Sequence, residues 1–511
     1  MNPLPEFFAA IPAGGAGKRL WPLSRQAHPK FLLDLSGEGR TLIQQAWDRL
    51  EPLAGAGHIE VVTGAAHAAA VTTQLDRLNP ANLIVEPGPR DSMPAIALAA
   101  AVTQRRHGDV VLGSFAADHI IHGQKGFAAA VEAAYLAAQE GFIATIGIVP
   151  SGPSTAYGYI KSGPSLGLVE VPEVALVAAF KEKPDKATAA EYLAAGGYRW
   201  NAGMFVFKVN LLLDQLELLH PALADGIGQL ADAWDGGPRD EVAAKVWPRL
   251  QRIAFDHAIA EPVAAEGGLA TVPGDFVWSD IGDFGSLAEL AEPVGAGRPG
   301  SLAGARGEVP PQIISGGSSD AGTAPVGRGR MAGEGDVARA AGKGDVAGVV
   351  GGAGRGRVAG VAGKEAAAGK GEVAGEGEVA GVVGRVGRGR VAEGEDAAGK
   401  GEVAGEGEVA GVVGRVGRGP EDEAIGGRAA APVCGPPARQ LVLNGSPAPV
   451  VEDSPGALAL AAGGRLVALL GVPGVVVVDT PDAVLVTSLS RAQEVKQLVE
   501  SLERRGQSER L

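Results

Sequence analysis

A three-layer α/β domain followed by a small β-rich domain is the fold this 511-residue sequence predicts, on three observations. From Glu6 to about Pro293, short apolar runs alternate with longer alanine- and leucine-rich stretches of helical spacing. Beyond about Val294 the chain turns to Gly, Ala, Val, Glu, Lys and Arg, with hardly an aromatic residue. Near Gln440 short β-like runs return, parted by glycine and proline and closed by the helically spaced SRAQEVKQLVESLERR. The expected division is 1–294, 295–438 and 439–511.

Taken in order, the apolar run Phe7 to Ile11 predicts a buried first strand. It feeds Ala13-Gly14-Gly15-Ala16-Gly17, whose small residues let backbone N–H groups approach a phosphate closely. Arg19 can fork its hydrogen bonds onto phosphate oxygens and Lys30 can act as a point charge, while Pro22 and Pro29 stiffen the segment between. A strand over His58 to Thr63 is followed by a helix through Leu78, a strand Asn82 to Glu86, a helix Pro94 to Arg106 and a strand Asp109 to Ser114. Open α/β sheets bind ligands at the carboxyl ends of strands, where the Ala13 loop, Glu86 and Asp118 each fall.

A glycine-rich turn alone is more often only a tight turn. The dinucleotide fingerprint needs glycine where Leu20 stands, and a P-loop ending at Gly17-Lys18 meets Pro12 and Arg19. The whole string G-G-x-G-x-R-L-x-P-L-S-R followed by P-K resembles the signature of sugar-1-phosphate nucleotidyltransferases. Its WPLSR form most resembles the bacterial mannose-1-phosphate guanylyltransferases. The resemblance covers about Phe8 to Leu290 and again Leu441 to Arg505, where VVVVDTPDAVLV and the last helix are similar to the C-terminal domain of those enzymes. It implies a Rossmann-like catalytic domain on a mixed, mostly parallel sheet, and a left-handed β-helix-like domain with a turn at Asp479-Thr480-Pro481-Asp482.

The activity it implies is transfer of GMP from GTP to mannose 1-phosphate with Mg²⁺. A sugar phosphate is already mostly dianionic near neutral pH, its second pKa being about 6, so no strong base is needed. The obstacle is bringing two polyanions together, which calls for cations, backbone N–H donors and a metal. On this pattern Arg19, Lys30, Asp118 and Asp280 are the catalytic group, and Asp118 (in FAADHII) and Asp280 (in FVWSDIGDF) hold the metal. Asp283 reads as a structural residue. The nucleotide falls to Ala13, Gly14, Gly15, Gly17, Lys18, Arg19, Lys30, Glu86 and Pro87. The sugar phosphate falls to Gly158 of AYGYI, Glu182 and Lys183 of FKEKP, and Asn201 of WNAGMF. Glu261 reads equally as a sugar contact or a helix-surface carboxylate. Ala156 stands where the family usually has glycine, and Asp91-Ser92-Met93 replaces its Asn-Thr-Ala. A carboxylate at Glu86 can accept from both N1–H and the 2-amino group of guanine, which adenine cannot offer.

A net charge of −14 argues against general nucleic-acid binding. The single cysteine, Cys434, excludes an intrachain disulfide, and it falls where a catalytic role is not expected. His28, His119, His122 and His257 lack zinc spacing and read as loop, cap or surface residues. No apolar run is long enough to span a bilayer and no basic leader precedes the first strand, so a cytoplasmic location is expected. A homodimer is among the assemblies the sequence allows. AAGKGEVAGEGEVAGVVGRVGRG at Ala367 to Gly389 recurs at Ala397 to Gly419, and its small side chains and glycines predict a disordered insert. No spaced His and Glu ligands follow the β-rich part, so the isomerase domain fused to some relatives is not expected. Two rival readings remain: a same-fold transferase for another sugar or base, and a non-catalytic regulator that binds GDP-mannose.

Overall fold

Strand alternation builds the three layers. In β1 (Phe7–Ala13), Phe7, Ala9 and Ile11 are buried with Trp47, Leu50, Phe127 and Val131, whereas Phe8 and Ala10 are buried with Leu98, Val102, Leu216 and Leu230. Successive side chains of a strand face opposite ways. One strand therefore carries helices Leu42–Ala54 and Gln124–Gln139 on one face and Ser92–His107, Val209–Leu219 and Pro221–Ala233 on the other. The structure is a computed structural model and describes residues 3–15, 17–294 and 436–511. Most of the expected insert 295–438, with its duplication and Cys434, lies outside the described residues.

In chain order the strands after β1 are β2 (Ile59–Gly64), β3 (Leu83–Glu86), β4 (Val111–Ser114), β5 (Ile120–His122), β6 (Ile143–Ile148), β7 (Tyr159–Ser165), β8 (Ala175–Lys181), β9 (Tyr198–Lys208), β10 (Leu269–Gly274) and β11 (Val277–Ser279). Together with β1, eight of them form one nine-stranded sheet in the order β3-β2-β1-β4-β9-β6-β10-β8-β7, and β5 pairs with β11 beside it. The sheet is mixed, as expected, with a larger antiparallel share than "mostly parallel" implies. β3-β2-β1-β4 is parallel, but the long β9 runs antiparallel to β4, β6 and β7, and β8 runs antiparallel to β7 and β10. The apolar runs encode burial; the direction in which each strand enters the sheet is set by its connections.

The C-terminal strands are β12 (Glu292–Pro293), β13 (Arg439–Val442), β14 (Val450–Glu452), β15 (Leu458–Ala461), β16 (Ala468–Leu470), β17 (Val475–Asp479) and β18 (Val484–Ser488). β13, β15 and β17 stack in parallel, with Arg439 against Leu458 and Leu458 against Val476, and β14 stacks on β16 in the same sense. Stacked parallel rungs are the β-helix-like arrangement that was expected. β18 ends it antiparallel to β17, across the Asp479–Asp482 turn. Pro436, placed by sequence in the insert, already belongs to this layer, its carbonyl accepting from Gly456 N–H at 2.7 Å. β12 pairs antiparallel with β13, so the chain leaves at Val294 and returns at Ala438 on adjacent strands, joined by a 2.9 Å backbone hydrogen bond. Leu20, Ile120, Ile281 and Phe284 share one buried cluster with Leu458, Leu460, Val476, Val478 and Leu485.

Candidate active site

The first functional segment leaves the carboxyl end of β1. Gly15 and Gly17 hold φ of +85° and +62°, the left-handed region that favours glycine. At Gly17 space adds a second demand, since a Cβ there would stand 3.1 Å from Lys30 Cβ. Ser24 Oγ donates to the Gly17 carbonyl at 2.6 Å and closes the turn carrying Lys18, Arg19 and Leu20. Lys30 is only 6% exposed. Its ammonium lies 2.6 Å from Asp118 Oδ2 and also donates to the Asp280 carbonyl, so one buried cation ties both expected metal ligands together.

Asp280 Oδ1 accepts from the Tyr157 hydroxyl at 2.9 Å and from Gly282 N–H at 3.1 Å. A Cβ on Gly282 would stand 3.2 Å from Asp280 Oδ2 and 3.4 Å from Arg19 Nη2, which places the Arg19 guanidinium beside this carboxylate. The next residue, Ile281, has φ of +42°, a strained backbone for a β-branched side chain. Burial alone raises the Asp118 carboxyl; the Lys30 ammonium, His119 and a backbone N–H outweigh it and hold the group below its ordinary range. Among the described residues no cluster of three or more His, Cys, Asp or Glu forms a closed metal cage. Two carboxylates presenting oxygen ligands suit a hard cation that takes its remaining ligands from phosphate and water. Asp283 caps helix Phe284–Leu290, accepting from Gly285 and Ser286 N–H, which is the structural role expected of it.

The sugar-side residues meet at the ends of β7, β8 and β9. A Cβ on Gly158 would stand 2.5 Å from Glu182 Oε2 and 3.3 Å from Asn201 Cβ, so glycine lets these three segments close up. Asn201 donates to Asp256 Oδ1 at 2.7 Å and accepts from the Thr145 hydroxyl at 2.8 Å. Lys183, at φ +42°, pairs with Glu182, whose backbone N–H donates to Glu261 Oε1 at 3.2 Å. Burial and the neighbouring Glu182 charge push the Asp256 carboxyl up to about 6.

Glu86 ends β3, two strands from the Ala13 loop on the same edge of the sheet, about 10 Å away at ordinary strand spacing. It is 8% exposed and has no hydrogen-bond partner among the described residues, and burial raises its carboxyl to about 7. With Pro87, Val85, Trp234 and Ala243 it lines a cavity of about 390 Å³. The divergent loop that follows is pinned by Arg90 to the Pro248 carbonyl at 2.6 Å, by Trp247 Nε1 to the Gly88 carbonyl at 2.7 Å, and by Phe255 N–H to Ser92 Oγ at 2.9 Å.

Comparison with known proteins fits this geometry. The nucleotidyl transferase family matches residues 9–296. The chain belongs to that family. The MannoseP isomerase/GMP-like beta-helix domain matches residues 450–502. The chain is 40% identical over 297 residues to the xanthan biosynthesis protein XanB of Xanthomonas campestris pv. campestris (strain B100), covering 56% of this chain and 60% of that one. It is 37% identical over 295 residues, with the same coverage, to a mannose-1-phosphate guanylyltransferase of Escherichia coli. This nucleotidyl transferase thus spans 60% of the length of the relatives it matches. Its fold is that of a Thermus thermophilus structure described as a mannose-1-phosphate geranyltransferase, with a TM-score of 0.60 at 22% identity over 98% of this chain and 99% of that one.

Every site residue expected from the sequence of this nucleotidyl transferase lies at the carboxyl edge of the sheet or on a segment packed against it. Lys18 points elsewhere: its ammonium sits 2.7 Å from Glu503 of the C-terminal helix. Three residues were missed. Asp256 and Tyr157 were not among the residues expected from the sequence; the structure sets them against Asn201 and Asp280. His119 lies in the loop between β4 and β5, one of the loop, cap or surface places expected, but it is buried, not on the surface: it sits edge-on to Trp278 at 5.4 Å between ring centroids, and burial lowers its pKa.

Proposed function

We propose that this chain transfers GMP from GTP to α-D-mannose 1-phosphate, giving GDP-mannose and pyrophosphate. The observation that carries the reading is the buried Lys30 ammonium joining Asp118 to the Asp280 backbone, beside the Arg19 guanidinium. The name of the Escherichia coli relative, a mannose-1-phosphate guanylyltransferase, supports the choice of sugar and base. A phosphate oxygen of mannose 1-phosphate attacks the α-phosphorus; the new P–O bond forms as the α–β bridging P–O bond breaks, and pyrophosphate leaves with the electron pair.

The chain's own groups bind, align and balance charge. Backbone N–H groups of Gly14, Gly15 and Gly17 and the cations of Arg19 and Lys30 face the triphosphate, while Glu86 and Pro87 receive the base. Gly158, Glu182 and Asn201 hold the mannose hydroxyls, and Lys183 meets its phosphate. Asp118 and Asp280 would hold Mg²⁺, which when bound offsets the negative charge of the phosphates. The three-part domain division, with its second boundary moved from 438/439 to before Pro436, is part of this proposal, as is a cytoplasmic place for an enzyme of soluble metabolites. Among the described residues no helix is long and apolar enough to cross a membrane.

The test is pyrophosphate release by the full chain with Mg²⁺ and mannose 1-phosphate, offering each nucleoside triphosphate in turn, with the product identified by mass spectrometry. GTP-dependent release with GDP-mannose as product is the expected result. Release only with another triphosphate or sugar phosphate would reassign the substrates, and binding of GDP-mannose without turnover would make the chain a regulator.

A further inference from the structure

The phosphate-loop turn is gripped from outside by the C-terminal end of the chain. Lys18 pairs with Glu503 at 2.7 Å. Trp21 Nε1 donates to the Arg510 carbonyl at 2.7 Å, and Arg25 donates both to that carbonyl and to Asp482 Oδ1, the latter at 2.7 Å. Arg25 also stacks over the Trp21 ring, 5.4 Å from its centroid. Three residues of one short segment therefore have their polar atoms or rings committed to Asp482 and residues 503–510, or to one another.

Beneath these polar contacts the two regions share one apolar core. Leu20, next to Arg19, is fully buried in the cluster that contains Leu458, Val478, Leu485 and Val495. Ile281, next to Asp280, is buried in that same cluster, and it is the residue held at φ of +42°. A β-branched residue keeps such a backbone only where its surroundings over-determine it. Gln493 reaches further still, lining with Arg19, Tyr157 and Asp280 a cavity of about 420 Å³.

We infer that the C-terminal domain is a positioning element of the catalytic centre, which fixes the Lys18–Arg25 turn and the Asp280–Ile281 turn relative to each other. Arg19 and Asp280 are neighbours on the sequence of Leu20 and Ile281, so movement of the shared core moves both. In this arrangement Lys18 is a joint between the regions, its charge taken up by Glu503. The inference rests on the catalytic roles read for Arg19 and Asp280, and it needs a readout that does not depend on turnover.

The experiment compares the full chain with Asp482→Asn, Glu503→Lys, Lys18→Glu and the charge swap Lys18→Glu/Glu503→Lys. Amide hydrogen exchange is followed in peptides covering 17–25 and 279–283, beside kcat, KM and the melting temperature. The expected result is faster exchange in both peptides for the three single variants with an unchanged melting temperature. With it should come about a fivefold loss of kcat/KM for GTP, the scale set by exposed charge pairs. Exchange and kcat/KM should return towards wild type in the swap. A merely structural role would lower the melting temperature and leave kinetics of the folded fraction alone. Unchanged exchange in both peptides overturns the inference, and so does a swap as impaired as Lys18→Glu, because then the charge at position 18 serves the triphosphate. If wild type makes no nucleotide sugar, the substrate assignment fails while the exchange data still judge the joint.

Discussion

Two buried carboxyl groups on neighbouring strands, Glu60 and Glu86, are pushed by burial to the same value, about 7, and have opposite surroundings. Glu60 lies near the amino end of β2, 1% exposed, where the Thr103 hydroxyl donates to it at 2.8 Å and the Arg106 guanidinium lies 3.8 Å away. Glu86 lies at the carboxyl end of β3, lines a cavity, and has no hydrogen-bond partner among the described residues. An enclosed polar group is normally satisfied within the protein, as Glu60 is, whereas a carboxylate that lines a cavity is free to accept from a ligand's donors. The amino edge of the sheet closes on itself and the carboxyl edge is left chemically open, which is where open α/β sheets bind. A perturbed pKa alone picks both groups; only their surroundings tell them apart.

The contrast can be broken or sharpened by substitutions, taken in decreasing order of their effect on turnover. Asp118→Asn and Asp280→Asn strike the open edge hardest: each should lower kcat by about 10²–10³-fold, the usual cost of losing a preorganised charge stabiliser. Pyrophosphate release at saturating substrates measures it, and a wild-type rate in either variant would remove that residue from the metal site.

Glu86→Gln should lower kcat/KM for GTP about a hundredfold, and turnover of ATP, expected to be low in both proteins, should change little. Only the ionised carboxylate accepts from both guanine donors, and in the free enzyme it ionises near pH 7. The kcat/KM for GTP should therefore rise as pH climbs through about 7, with that limb absent in Glu86→Gln. A wild-type profile flat from pH 6 to pH 8 would count against the assignment, that range being about one unit either side of the expected pKa.

Glu60→Gln should leave turnover untouched and alter only stability. The folded-state pKa of Glu60 is raised from 4.5 to about 7, so the folded protein holds this proton more tightly than the unfolded chain. Its contribution is fully present below the lower value and is lost as pH rises through the higher one. Wild type should lose on the order of 3 kcal/mol at most across that window, and Glu60→Gln should lose less. Urea unfolding at several pH values reads the difference, and equal pH dependence in the two proteins would show that Glu60 stays protonated or is compensated.

Much of this was legible along the chain. The buried β1, the glycine loop, the Asp118 and Asp280 segments, and the Gly158, Glu182 and Asn201 motifs are contiguous strings, and the structure brings them to one edge of the sheet. Strand direction was less legible, because alternation of apolar residues is the same in parallel and antiparallel pairs; β9 enters antiparallel between β4 and β6 with no local mark of it. Asp256 was passed over because its partner Asn201 lies 55 residues away and nothing in the residues around Asp256 announces that pairing.

The sequence by itself determined which segments are buried, where the backbone must turn sharply, and which functional groups are available. Those properties depend on near neighbours and on the chemistry of single side chains. Tertiary structure alone decided that Lys30 meets both Asp118 and Asp280, the latter 250 residues from Lys30, and that Glu503 closes on Lys18 across 485 residues. It also decided that Glu60 is enclosed and Glu86 open. Such facts come from which strands and faces meet, and the physical reason is that burial and charge pairing are set by the packed neighbours in space.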